Sequence, residues 1–287
     1  MSKLLHETLN AWREHRASSK SAALAYYTLF SLTPILILAI AVAGYFFGQQ
    51  AAQGQVVAQM QNLIGTSGAQ AIQALLVAAR DPVSGTIATI IAIALLVIGS
   101  TGVFTELKDS LDDLWGVAKV RHSTFLRLLK GRLESFGLVM VLAFLLLVSL
   151  VINTALPWLE PYLRPIAASL PIPLSTVSSI LTFVLIAFLF AVIYKTLPDA
   201  PLSWKDVWIG AVFTAGLFIL GKYAIGWYLS YSGVASSFGA AGSVIALLVW
   251  IYYSALIFFF GAEFTRQYAL QYGSLRPTRG LAPAQPA

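Results

Sequence analysis

A chain of 287 residues that is 58% hydrophobic and only 10% charged falls outside the range of soluble domains, where about 25% of residues are charged. Cysteine is absent, which excludes a disulfide framework, a thiol nucleophile and any Cys-based metal site. The formal net charge is +6, a balance that would suit nucleic acid if the basic residues were clustered on a soluble face, so their placement decides the class.

The first 20 residues are polar and charged. Leu4, Leu5, Leu9 and Trp12 recur at helical spacing opposite Lys3, Glu7, Arg13 and Glu14. The pattern predicts a short amphipathic helix lying on the cytoplasmic leaflet, serving as an anchor or, alternatively, as a partner-binding helix. No cleavable signal peptide is expected, because the apolar block that follows is long enough to span. A bilayer core about 30 Å thick needs roughly 20 apolar residues at 1.5 Å each. Six blocks meet that length: about 22–47, 83–104, 135–156, 175–194, 207–230 and 240–262. The predicted fold is all-α, a polytopic membrane protein with six transmembrane helices plus short amphipathic interfacial helices. A cytoplasmic arm occupies 1–21, the membrane domain 22–266, and a cytoplasmic, partly disordered tail 267–287.

Between the first two blocks, residues 49–80 are rich in Gln and Ala and too polar to span. Val56, Val57, Met60, Leu63 and Ile64 form one stripe, and Ile72, Leu75, Leu76 and Ala79 another, separated by Gly65-Thr66-Ser67-Gly68. This predicts two amphipathic helices on the outer face, packed against the membrane or capping the bundle. The third connection, about 157–174, holds five prolines with Trp158 and Tyr162, which suit an interface rather than a regular helix.

Fifteen of the 18 Lys and Arg residues lie on the N-terminal arm, the second and fourth connections and the tail. By the positive-inside rule both termini are then cytoplasmic. The same sorting explains the basic balance as attraction to an anionic leaflet and removes the case for nucleic acid as a partner. The implied partners are membrane lipids, and the surface could also serve envelope proteins or a second copy of the chain.

Lys222 is the one charge inside a predicted span. It lies eight residues before Ser230, about 12 Å below the outer end of span five. An intramembrane ionisable group is a functional candidate; the competing reading is a side chain that lifts its ammonium to the interface. Asp81 and Glu160 are the nearest acidic candidates to pair with it. Pro34, near the middle of span one, predicts a kink whose freed carbonyls could line a path or only serve packing. Gly239 to Ser243 open span six with little bulk, so Gly239 and Gly242 could form a gate or permit close helix packing. Gly210, Gly216, Gly221 and Gly226 give span five similar surfaces.

Glu106, Asp109 and Asp113 share a helical face just after span two, beside Asp112. Clustered carboxylates could bind a hard cation or form a solvated face balanced by Lys108. Glu263 and Arg266, three apart at the inner end of span six, suggest a local ion pair or a link to the basic second connection. Glu134 is a further candidate for an ion pair. No metal site or cofactor is predicted.

Four segments in order resemble the YihY/BrkB family of bacterial inner-membrane proteins. They are Ala22-Ala23-Leu24-Ala25-Tyr26-Tyr27-Thr28-Leu29-Phe30-Ser31-Leu32-Thr33-Pro34, Leu107 to Val117, Tyr194-Lys195-Thr196-Leu197-Pro198 with Trp204-Lys205-Asp206-Val207, and Ser237 to Ser243 leading to Gly261-Ala262-Glu263. In the second segment Leu111-Asp112 replaces the family's Leu-Asn pair. The resemblance, over roughly 20–266, implies six spans in a bacterial inner membrane. It brings a virulence-factor label, an older ribonuclease label and a suspected role of some members in envelope lipid transport, but no established catalytic residues.

The leading expectation is a protein that transports or handles a lipid, other amphiphile or small solute, with Lys222 attracting an anionic head group. A membrane scaffold acting through residues 49–80 is the alternative. A ribonuclease is disfavoured: general acid–base chemistry or a metal-activated water would have to be built from His6, His15, His122 and the acidic cluster. No enzyme activity is expected, and the absence of a Gly-rich Lys-Ser/Thr loop argues against ATP hydrolysis by this chain.

Overall fold

A computed structural model describes residues 2–78, 102–103, 105–117, 174–231 and 242–276. The predicted second and third spans, the proline-rich connection, most of the basic connection, Asp81, His122, Glu134, Glu160, Gly239 and the end of the tail lie outside the described residues. Among the described residues all regular structure is helical: α1 (Ser2–Glu14), α2 (Ala17–Phe47), α3 (Gln49–Ala78), a segment at 105–114, α4 (Leu174–Thr196), α5 (Trp204–Tyr231) and α6 (Gly242–Gln271). Three of these are long and apolar enough to cross a bilayer, over Ser179–Thr196, Trp204–Tyr228 and Gly242–Gln271. They coincide with the fourth, fifth and sixth predicted spans. α2 covers the first and continues through Pro34 as one element, so the proline does not divide it into two half-helices.

The N-terminal arm differs from its expected placement. α1 packs chiefly against α6, burying Leu4, Thr8 and Ala11. Glu7 bonds Gln271, and His15 bonds Glu263. The two links step eight residues forward on α1 and eight backward on α6, so the helices run antiparallel, side by side. A helix that follows the axis of a spanning helix does not lie flat on a leaflet. The stripe read as lipid-facing includes Leu4, which the protein itself covers, whereas Leu9 remains exposed. Between α1 and α2 stands Arg16, whose φ of 52° is a left-handed conformation costing about 1–2 kcal/mol for a residue with a Cβ; α2 begins at the next residue.

Residues 49–78 also depart from expectation. They form one continuous helix, with no break at Gly65-Thr66-Ser67-Gly68. The chain turns at Gly48, where φ is 84°, and α3 packs back against α2 and α6. Val56, Ala71, Ile72 and Leu76 join Leu36 and Ile40 of α2 and Leu247 and Ile251 of α6 in one apolar cluster. Burial of Val56, Ala71, Ile72 and Leu76 against the same neighbours outweighs the weak helix propensity of two glycines, each costing about 1 kcal/mol relative to Ala.

α5 and α6 are joined by a seam of small residues. A Cβ on Gly210 would overlap the side chain of Thr265, and one on Gly261 would overlap Thr214. The threonine hydroxyls turn back onto their own helices, Thr214 Oγ1 donating to Gly210 O and Thr265 Oγ1 to Gly261 O, both at 2.7 Å. Their polar atoms are thereby satisfied, and each side chain lies over the glycine of the other helix, the close approach that small residues permit in lipid. Gly221 extends the seam, since a Cβ there would strike Tyr253 and Ile257. Gly216 and Gly226 lie off it, a Cβ at either meeting nothing within 4 Å.

Substituting Gly210→Ala should therefore lower stability by about 1–3 kcal/mol through overpacking, read as thermal unfolding of the detergent-solubilised protein. Combining it with Thr265→Gly should cost less than the two single changes added together. Gly216→Ala is the control expected to leave stability unchanged or slightly raised.

Candidate functional site

Polar side chains converge at the end of the bundle where α1, the 105–117 segment, the start of α5 and the end of α6 meet. Ser203 begins this arrangement as the residue before α5: its Oγ accepts from the Asp206 N–H at 3.3 Å, satisfying one of the helix's free donors. Asp206 in turn accepts from Ser274 through both its N–H at 2.9 Å and its Oγ at 2.6 Å. Gly273 passes so close to the Asp206 carboxylate that a side chain would be excluded. Beyond Gln271, the Gly273 N–H donates to Tyr268 O and Ala269 O, and the Leu275 N–H to Ala269 O. The chain beyond residue 266 is thus helical to Gln271, and the tail read as disordered from Gly273 is anchored as far as Leu275.

Glu263 is the most buried charged group of the set. Its exposure is 0%, and its Oε1 lies 2.5 Å from His15 Nδ1. The partner is a histidine 248 positions away rather than Arg266, whose guanidinium instead lies over Gly116. Among the described residues Glu263 Oε2 is buried with no hydrogen-bond partner, as is Nε1 of Trp12 in α1, three residues before His15. Beside this pair Trp115 Nε1 donates to Ala262 O at 3.1 Å. Tyr194 of α4 is wholly buried, and its hydroxyl donates to Phe258 O at 2.7 Å. Sequence reading marked Glu263 and passed over His15, Trp115, Tyr194, Asp199 and Asp206 as site residues, because each finds its partner through the fold and not through local spacing.

The acidic residues after span two do not converge on one point. Asp113 pairs with Lys20 of α2. Asp112 accepts from the Asp199 N–H at 2.9 Å and lies 3.8 Å from Lys108. Lys108 itself donates to Leu197 O and to Asp199, both at 3.0 Å. Burial pushes the Asp112 carboxyl up from its ordinary value, while the Asp199 N–H and the Lys108 ammonium draw it down. Glu106 accepts from Ser110 at 3.3 Å, and Asp109 is exposed. Among the described residues no three His, Asp or Glu side chains are grouped to hold a metal ion. The arrangement is a clamp that ties the 105–114 helix to the connection between α4 and α5.

Lys222 stands apart, half-buried near the other end of α5, its ammonium 5.8 Å from the centre of the Tyr223 ring. Among the described residues no carboxylate lies within ion-pair distance of it. Exposed Trp204 and Trp208 mark one end of α5, and exposed Trp227, Tyr228 and Tyr231 the other. From Trp208 to Trp227 is about 28 Å along the helix, close to the hydrocarbon thickness of about 30 Å that aromatic belts bracket. Lys222 is five residues, about 7.5 Å, inside Trp227, within the range where its stem can carry the charge to the interface. Gly242 opens α6 and is buried, in keeping with close packing.

The segments that carried the family resemblance contribute much of this site: Trp115 from one, Tyr194 and Asp206 from another, Glu263 from the last. The profile of the family described as Virulence factor BrkB matches residues 8–286. A UPF0761 membrane protein of Mannheimia succiniciproducens is 25% identical over 264 residues, 88% of this chain and 85% of that protein. A UPF0761 membrane protein of Verminephrobacter eiseniae is 27% identical over 253 residues, 85% of this chain and 57% of that longer protein. The ribonuclease-like protein YfkH of Bacillus subtilis is 24% identical over 263 residues, 90% of this chain and 92% of its own length. No solved structure matches the chain.

Replacing Asp206 by Ala should release the turn after α6. Two charge-assisted hydrogen bonds are lost, each contributing about 1.5–3 kcal/mol, so limited trypsin digestion should cut after Arg276 much faster than in the native chain. Unchanged cleavage would mean that Asp206 does not hold the tail.

Proposed function

This chain belongs to the Virulence factor BrkB family, and on that premise we propose a six-span protein of the bacterial inner membrane that handles a lipid, other amphiphile or small solute. Both termini are cytoplasmic in this reading, so the end carrying α1, Lys108 and Arg266 faces inward and Lys222 faces outward. The sorting of basic residues supports that orientation, and the aromatic girdles of α5 support its depth in the bilayer.

The observation that carries the reading is the environment of Lys222. Its ammonium has an aromatic neighbour but no acidic one among the described residues, on a helix whose Leu220, Tyr223, Trp227 and Tyr231 are exposed at helical spacing. A cation at head-group depth beside an apolar and aromatic face offers an anionic amphiphile a charge for its head and a surface for its chain. The scaffold reading draws less support, because α3 is packed against α2 and α6 instead of presenting two free amphipathic helices. Ribonuclease chemistry draws less still: His15 is committed to Glu263, and the acidic residues after span two are committed to Lys20, Lys108 and a backbone N–H or exposed singly.

Reconstitution into liposomes with fluorescent anionic and zwitterionic lipids and labelled small solutes tests this. Lys222→Ala should slow movement of the anionic lipid about tenfold, the effect of losing roughly 1.4 kcal/mol, and leave the zwitterionic one unchanged. If nothing moves with either protein, the transport reading fails.

A further inference from the structure

We propose that His15 and Glu263 form a proton-binding site that governs the docking of α1 on the bundle, so that uptake of a proton from solution releases the arm. This goes beyond the handling of a solute and does not depend on Lys222.

The geometry supplies the case. The pair is short, at 2.5 Å between Nδ1 and Oε1, and joins an arm residue to the longest described spanning helix. The carboxylate has no exposure, and the imidazole keeps about a quarter of its side-chain surface (23%), a route by which a proton can arrive. An ionised carboxylate offers about four acceptor positions, yet Oε2 is buried with no donor among the described residues. A shared proton between Nδ1 and Oε1 removes most of that penalty, because the pair then carries no net charge whichever atom holds the proton.

The seam between α5 and α6 sets the depth of the site. Gly210 faces Thr265 and Thr214 faces Gly261, which places Glu263 level with residue 212. That is about one turn farther into the bundle than Trp208, so the carboxylate lies within the aromatic belt and away from bulk water. Burial there depends on α1 being present, for α1 packs against this end of α6 and contributes the partner.

The charged groups around the pair fix the direction of the switch. From α1 these are Glu14 and His15; from α6, Arg266. α2 contributes Lys20, which is engaged by Asp113 of the 105–117 segment, and exposed Arg16. Of the charged residues of α5 at this end, Asp206 is turned to Ser274 and Lys205 is exposed. With one shared proton the pair is attractive. With none, a neutral His15 still donates its Nδ1–H to the carboxylate, so α1 stays docked. A second proton leaves a neutral Glu263 carboxyl facing an imidazolium, with the Arg266 cation nearby and Glu14 as the one remaining anion. A partly buried cation without its counter-charge is unfavourable, and α1 leaves as pH falls.

The chain has no native cysteine, so single thiols report docking directly. In the full-length protein in nanodiscs, Thr8→Cys is covered by α6 and Leu9→Cys is exposed; their ratio of modification by a water-soluble thiol reagent cancels the reagent's own pH dependence. The expected result is protection of Thr8→Cys at neutral pH, lost about tenfold on acidification toward about pH 4, where carboxylates ordinarily take up their proton. Glu263→Gln should make the ratio independent of pH, and His15→Gln should do the same while leaving the buried carboxyl in place. A ratio that stays constant with pH in the otherwise native chain overturns the proposal, as does a pH dependence that survives in both variants. Because the readout is arm exposure and not solute movement, its failure is separable from failure of the transport reading.

Discussion

The close approach of α5 and α6 through reciprocal glycine–threonine contacts is the constraint on which the described structure depends. In lipid, apolar side chains gain little by meeting one another, so helices associate through packing and hydrogen bonds. A glycine opposite a threonine brings two backbones together, and a hydroxyl returned to its own helix leaves nothing unsatisfied. Because the exchange occurs twice, one turn apart, it also fixes the axial register. Gly221 against Tyr253 keeps the same register nearly two turns farther along. Tyr194 then crosses from α4 to Phe258 O, with its hydroxyl 3.3 Å from Thr214 Oγ1, joining a third helix to the seam.

That register brings the polar residues of one end into reach of each other. With α6 held against α5, Ala262 O meets Trp115, Glu263 meets His15, and the turn after Gln271 meets Asp206. The side chains of Trp115, Glu263 and Asp206 each find these partners on another element. Trp115 reaches a carbonyl whose helix has already used one of its lone pairs; Ser274 supplies the two donors that an isolated Asp206 would otherwise take from water. The apolar cluster around Leu111, Leu114, Tyr194, Leu197 and Leu202 lies beneath them and limits how far any one of these contacts can shift alone.

The large divisions of the fold were legible because hydropathy and length state them directly. α4, α5 and α6 stand where three apolar blocks predicted, and Gly210 and Gly221 were visible as small surfaces. What sequence did not reveal was which glycines meet a neighbour: Gly216 and Gly226 look the same as text, and only the facing residue distinguishes them. The neighbours of α1 and α3 were hidden for a related reason. An amphipathic stripe shows that one face is to be buried but not by what, and here the covering surface is protein in both cases. The division of 49–78 into two helices relied on the local cost of glycine, which continuous packing against α2 and α6 overcame. Glu263 was marked as a site, yet its partner lies at the opposite end of the chain, where no spacing rule could have paired them.

These features divide the described molecule into a part that resists change and a part that can move. The seam has its polar atoms satisfied within each helix and its backbones in contact, so separation would expose carbonyls and open voids together. α1 is held differently. Its buried face is small, built from Leu4, Thr8 and Ala11, and its fixed points are side-chain bonds at Glu7 and His15. It is joined to α2 through Arg16 in a left-handed conformation, which gives the chain a turn instead of a rigid continuation. Detaching α1 would cost a few contacts and leave the α5–α6 register intact, but it would uncover a carboxylate at membrane depth. A buried acid beneath a detachable arm is therefore the point at which proton chemistry can most readily alter the exposed surface of this bundle.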